Sequence, residues 1–151
     1  MDIQRLQQLL SELERIGGVV RKVSCKDPST ADRTEDLLGL EFPESVKAFY
    51  TMYEYLQVGT YEFVWITILS DLIKKVQGQG NVPNNYLPIL PDGMGGHYYV
   101  VCAEKNKSRP QDFGVVVHHI GGPENVFEFC DSDFLDFVAS HVERVLAEVE
   151  T

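Results

Sequence analysis

The groups best suited to chemistry in this chain are a glycine cluster, four histidines and three cysteines. The segment PDGMGGHYYVV places Gly93, Gly95 and Gly96 within four positions. Glycines at that density cradle phosphates when they lie between a strand and a helix, because helix N–H groups then face the anion. Here HYYVV follows, an aromatic and β-branched run that reads as a strand. Neither GK[ST] nor GxGxxG is present. The cluster therefore reads as a turn or bulge that needs positive φ. Tyr98 and Tyr99 in the ensuing strand point to opposite faces, one into the core and one onto an open face that a partner can meet.

The histidines and cysteines show no ligand spacing. His118 and His119 are adjacent on a predicted strand, so their side chains diverge. His97 and His141 lie far away, and no HxH, HExxH or CxxC occurs. Each histidine reads as a surface or semi-buried residue. Cys102 and Cys130 fall in predicted strands, where cysteine serves as a small buried hydrophobe. A catalytic site would have to be assembled in space from His97, His118 or His119 with a cysteine. The close acids Asp131, Asp133 and Asp136 read as helix-capping residues rather than an acid–base pair. No metal or cofactor is implied.

The elements that carry these residues follow from periodicity. Ile3, Leu6, Leu10, Leu13 and Ile16 keep helical spacing, and Gly17-Gly18 ends that helix. Val19 to Cys25 reads as a short strand, and KDPSTADRT as a polar loop. A helix is expected from Thr34, its N-cap, to Gly39. Pro43 opens the next helix, in which Val46, Phe49, Tyr50, Tyr53 and Leu56 form the apolar face up to Gly59. TYEFVWITI reads as a strand, Ser70 as the cap of a short helix, and YLPIL as a strand whose Pro88 confines it to an edge. Strands follow at His97 to Ala103, Val115 to Ile120 and Val126 to Cys130. Short loops between them favour antiparallel pairing. A closing helix starts near Ser132, capped by Ser132 or Asp133, with Phe134, Val138, Val142, Val145 and Val149 on one stripe. This order predicts one α+β domain over residues 1–151, with a helix over 1–18. A mostly antiparallel central sheet carries N-terminal helices and a C-terminal helix.

Composition narrows the function classes. The chain has 151 residues and 44% hydrophobic residues, enough for one core. Its formal net charge of −10 opposes binding to nucleic acid or anionic lipid. From Glu124 onward there are eight acids and one base, Arg144, whereas Arg15 to Lys26 holds four bases and no acid. No apolar run is long enough to span a membrane, and the charged start MDIQRLQQLLSELERIGG is unlike a signal peptide. Three cysteines without paired spacing fit a reducing compartment, so a cytoplasmic location is expected. Tyr50, Tyr53, Tyr55, Tyr61, Phe63 and Trp65 crowd one region. Most belong to the core. Tyr55 and Tyr61 lie off the apolar stripe or near a loop, and are candidate surface contacts.

Taken in order, four segments resemble the SUKH superfamily. LLGLEFPESVKAFYTMY carries the signature Leu38, Gly39, Phe42, Pro43, Val46 and Phe49-Tyr50. ILSDLIKKV is similar to its short helix, LPILPDGMGGHYYVV to its glycine-rich turn and aromatic strand, and DSDFLDFVASHV to its closing helix. The resemblance spans residues 36–146. Two positions depart from it: Tyr53-Glu54-Tyr55 stands where an Asn-Gly is common, and His97 where an Asp or Asn is. The resemblance implies an α+β fold and a protein-binding role. Many members are immunity proteins that neutralise a cognate toxin, often a nuclease, and others are regulatory interaction modules. An acidic inhibitor would be steered to the basic face of a nuclease. On this reading the contact acids are Glu124, Glu128, Asp131, Asp133 and Asp136, with Asp112 and Glu62 behind them. Tyr55, Tyr61 and Tyr98 add aromatic contacts.

Overall fold

The computed structural model describes residues 2–78, 82–93, 95–104, 114–119, 126–131 and 133–150; the side chains of residues 77, 117–119 and 126–128 are outside that description. The chain opens with helix α1 (Ile3–Arg15), started by Asp2, whose carboxylate accepts the Arg5 N–H at 2.8 Å. Such a cap is worth about 1 kcal/mol. Leu6, Leu10 and Leu13 are fully buried, and each contributes roughly 1.5–3 kcal/mol. The cap thus sets where α1 begins, and the leucine stripe sets where it packs.

Strand β1 (Val20–Ser24) leads to helix α2 (Thr30–Leu38). The expected cap at Thr34 is not used: Thr34 lies inside α2 and its hydroxyl donates to the Thr30 carbonyl at 2.8 Å. The turn before α2 is held by Asp27, which accepts the Ser29 N–H and hydroxyl. Gly39 ends α2 with φ +68, a left-handed C-cap that favours glycine. Strand β2 (Leu40–Glu41) and helix α3 (Glu44–Met52) follow, with the Pro43 carbonyl accepting from the Val46 and Lys47 N–H groups.

Here the structure departs from the sequence reading. Helix α3 stops at Met52, and Tyr53–Val58 forms strand β3 rather than two further helical turns. Tyr53 is buried in either geometry, so the apolar spacing alone does not separate them. The deciding partner is β1, which pairs antiparallel with β3, Val20 opposite Val58 and Val23 opposite Tyr55. Strand β4 (Tyr61–Phe63) completes this three-stranded sheet. The expected long strand TYEFVWITI is therefore short; a 3-10 turn at Ile66–Ile68 runs into helix α4 (Leu69–Gly78). Ser70 is inside α4 and does not cap it.

A second antiparallel sheet contains β5 (Tyr86–Pro91), β6 (His97–Val101), β8 (Val115–His119) and β9 (Val126–Asp131), in that order. β5 is an edge strand, which accommodates Pro88 without a lost ladder bond. The Val64 N–H nonetheless donates to the Ile89 carbonyl at 2.9 Å and ties the two sheets together. The strand expected through Ala103 breaks at Cys102, whose backbone is held by Asn85 on both sides. Beyond the break, β7 (Ala103–Glu104) pairs with β2. The closing helix α5 (Phe134–Glu150) is capped by Asp133, which accepts the Leu135 and Asp136 N–H groups at 2.7 and 3.1 Å. The fold is thus α+β with antiparallel strands, which among the described residues form three sheets where one central sheet was expected.

The core is one cluster that joins helices α1, α3, α4 and α5 to the three-stranded sheet and to Leu87, Ile89, Val100 and Val115 of the second sheet. Phe49 is its aromatic hub, in ring contact with Tyr50, Tyr53, Phe63 and Phe134. Tyr50 is fully buried, and its hydroxyl donates to the Val64 carbonyl at 2.6 Å.

Candidate functional site

The site is built where the β3–β4 turn meets the β5–β6 turn. Gly59 (φ +58) lets β3 reverse into β4, which brings Thr60, Tyr61 and Glu62 beside the end of β5. The glycine cluster forms the facing wall. Gly93 and Gly95 adopt φ +82 and +92, and Asp92 closes the turn: its carboxylate accepts the Gly96 N–H at 3.0 Å, and its own N–H donates to the Gly96 carbonyl. The reading of this cluster as a positive-φ turn is borne out. Between the two turns lies a pocket of about 250 Å³ lined by Thr60, Tyr61, Glu62, Leu90, Pro91, Asp92 and Gly93.

Tyr61 and Tyr98 meet beneath α5. Tyr61 packs edge-on against His141 with ring centroids 4.6 Å apart, and Tyr98 packs on Phe137 at 5.2 Å. Tyr98 therefore faces the helix, and Tyr99, on the opposite face, is 2% exposed rather than open. Arg144 donates to the Tyr61 hydroxyl at 3.3 Å, a second tie that holds the ring against α5. Burial raises the Tyr98 hydroxyl's pKa, and the nearby Cys130 and Asp92 add to it.

Tyr55 differs from its sequence expectation. It is only 9% exposed, stacked on Trp65 with centroids 4.4 Å apart, and its hydroxyl is hydrogen-bonded to Glu62. Burial, followed by the Glu62 carboxylate, pushes its pKa up to about 12. The off-stripe position that suggested exposure belongs to a helix that is not there; in a strand, Tyr55 shares a face with Gln57, next to Glu62. Across that face, Arg21 stands opposite Gln57, and Gln57 opposite Glu62.

The acids divide into groups. Asp131 sits at the end of β9, Asp133 is engaged as the cap of α5, and Asp136 lies in the first turn of that helix. Glu128 holds a register position in β9 opposite Val117, which is itself opposite Tyr98; its side chain is outside the described residues. Glu124, Asp112 and Ser132 also lie outside them, as do the side chains of His118 and His119. Exposed Glu143, Glu148 and Glu150 extend the acidic surface along α5, and no base occupies its last turn.

Two further expectations are corrected. His141, read as surface or semi-buried, is 6% exposed, its Nδ1 bonded to the Phe137 carbonyl at 2.8 Å. Its place four residues after Phe137, on the inward side of α5, was visible in the spacing. Cys130 is exposed, whereas Cys102 is buried as expected. Burial raises the Cys102 thiol, the opposite of what a nucleophile needs. Among the described residues, no three His, Cys, Asp or Glu side chains are placed to hold a metal ion, and no helix is long and apolar enough to cross a membrane. Asp92, Trp65 and Arg144 belong to the site and were not expected there. The only sequence signal for Asp92 was its spacing of four from Gly96.

Residues 30–138 match the family described as SMI1-KNR4 cell-wall (SUKH_6). That span is well over half of the chain. The chain belongs to the SUKH family. The match begins with α2 and ends within α5, so every residue lining the pocket lies inside the SUKH domain. SUKH domains as a family have an interaction or immunity-type role and are generally non-catalytic. No curated protein matches the chain.

Proposed function

We propose that this SUKH domain is an immunity protein that binds and neutralises a protein toxin, most simply a basic nuclease domain. The observation that carries the reading is the sign of the charge along the closing helix. Asp136, Glu143, Glu148 and Glu150 lie along α5, no base occupies its last turn, and its base Arg144 is held at Tyr61. A surface of that sign accelerates encounter with a basic partner and repels nucleic acid, so it competes for the toxin's phosphate-binding face. A cytoplasmic location suits this role.

The test is co-purification and calorimetry with any toxin domain encoded beside this chain. Expected is a one-to-one complex whose affinity falls steeply with salt and whose formation abolishes nuclease activity. A complex insensitive to salt and to neutralising Asp136, Glu143 and Glu148 overturns the electrostatic reading. The description of the matched family favours a second reading, an interaction module in cell-wall regulation. Absence of any toxin gene beside this one supports that alternative.

A further inference from the structure

The segment from Arg15 to Lys26 holds four bases and no acid in a chain of net charge −10, and the acidic surface of α5 leaves it without a role. Its centre is β1, which pairs with β3 on one side and has no strand beside its other edge among the described residues. The direction of its backbone groups follows from the ladder. The Gly59 N–H donates to the Val19 carbonyl at 2.9 Å, and the Cys25 N–H to the Met52 carbonyl at 3.0 Å. Antiparallel pairing alternates along a strand, so Arg21 and Val23 turn their N–H and C=O groups to β3, and Val20, Lys22 and Ser24 turn theirs away from the sheet. Side chains alternate as well. Arg21 lies opposite Gln57 and Val23 opposite Tyr55, on the face where Trp65 stacks. Lys22 lies opposite Leu56, on the helix side, and its ammonium is 3.0 Å from Glu14 of α1. The edge thus carries one positive charge on each face, and both residues are exposed.

We propose that this edge accepts an acidic extended segment of a protein partner, which adds to the sheet as a further strand beside β1. The proposal does not rest on the immunity reading. Backbone bonds to an open edge supply affinity in such an addition, and side chains select the partner. Here charge selects. Lysine on an edge strand discourages pairing with strands that cannot answer its charge. A second copy of this chain is opposed on that ground: full antiparallel overlap of two β1 strands sets Lys22 opposite Lys22, and like charges directly opposite are destabilising. A strand with two successive acids answers both bases, because its own side chains alternate and place one carboxylate beside Arg21 and the other beside Lys22. The Lys22–Glu14 contact is exposed and contributes little, so it yields readily. A residue placed beside Val23 extends the face of Tyr55 and Trp65, which suits an apolar side chain.

The experiment uses the full chain and the peptide Ac-Thr-Val-Glu-Glu-Val-Thr-NH₂, with Ac-Thr-Val-Lys-Lys-Val-Thr-NH₂ as its charge-reversed counterpart, followed by amide NMR titration and hydrogen exchange. The symmetric order of residues serves either strand direction. Without peptide, the amides of Arg21 and Val23 should exchange slowly and those of Val20, Lys22 and Ser24 fast. The acidic peptide should give saturable shifts centred on Val20 to Ser24. At saturation, exchange should slow at Val20, Lys22 and Ser24 and change little at Arg21 and Val23. The basic peptide should bind at least about tenfold more weakly, and the variant Arg21→Glu/Lys22→Glu should reverse that preference. Equal binding of the two peptides, shifts centred elsewhere, no shifts, or slowing without the alternation overturns the proposal. Slow exchange at Val20, Lys22 and Ser24 in the free protein also overturns it, because the edge is then already paired. The peptide comparison needs no variant to fold.

Discussion

Glu35 gives the sharpest test of how the family signature is held. It is 4% exposed in α2, yet carries a carboxylate. Its Oε2 accepts the Phe42 N–H at 2.7 Å, and its Oε1 lies 3.0 Å from the Lys47 ammonium. It therefore braces the segment from Gly39 to Pro43 against α2 and α3. A hydrogen bond to a charged acceptor is worth roughly 1.5–3 kcal/mol, and its loss here strands a backbone N–H beside the buried Phe42. The Lys47 contact adds less, under about 1 kcal/mol, because that side chain is 42% exposed and water screens it. Glu35→Ala should thus cost about 3 kcal/mol and lower the Tm by about 6–12 °C for a chain of this size. Glu35→Gln keeps an acceptor for Phe42 and should cost about 1 kcal/mol. Urea unfolding measures both, with unchanged m values showing that only stability moved. If Glu35→Ala lies within about 0.5 kcal/mol of the parent, or Glu35→Gln is equally damaging, the bracing argument is wrong.

Other expectations concern single groups. Tyr50→Phe removes the hydroxyl that donates to Val64 in the core, and calorimetric unfolding should show a loss of about 1–2 kcal/mol. Gly39→Ala places a Cβ at φ +68 with nothing near it; the cost, about 1 kcal/mol, comes from backbone strain alone and is read from the urea midpoint. Burial lowers the pKa of His141, so the fold favours the neutral ring. That stability is complete above the ordinary histidine value of 6.5 and declines as pH falls below it. His97 is shifted in the same direction, so the test is a flatter pH–stability slope in His141→Gln than in the parent. Asp27, lowered to about 2 by hydrogen bonds from Ser29, has a separate window: its contribution is lost between about pH 4 and 2, and Asp27→Asn should remove that acid limb.

Short-range chemistry determined much of this protein from its sequence. Gly39, Pro43 and Asp133 mark helix ends because caps and left-handed φ are local requirements that a side chain meets within three or four residues. The glycine cluster marks a turn for the same reason. Much of the order of helices and strands was legible from these markers and from apolar periodicity, whereas the family was legible only from the four segments that resemble it. Thr34 and Ser70 misled because a hydroxyl can bond within a helix as well as cap one.

Only the tertiary structure decided what lies between Tyr53 and Val58. The apolar spacing there is compatible with helix and strand, and β1, some thirty residues earlier, supplies the backbone partners that select the strand. Every consequence for the site follows from that pairing. It moves Tyr55 under Trp65 and beside Glu62, and makes room for the β4 hairpin that carries Tyr61. It sets that hairpin against Asp92, thirty residues along the chain from Glu62. A pocket whose walls come from two separate turns has no contiguous signature, because its geometry is a property of sheet packing rather than of any local sequence.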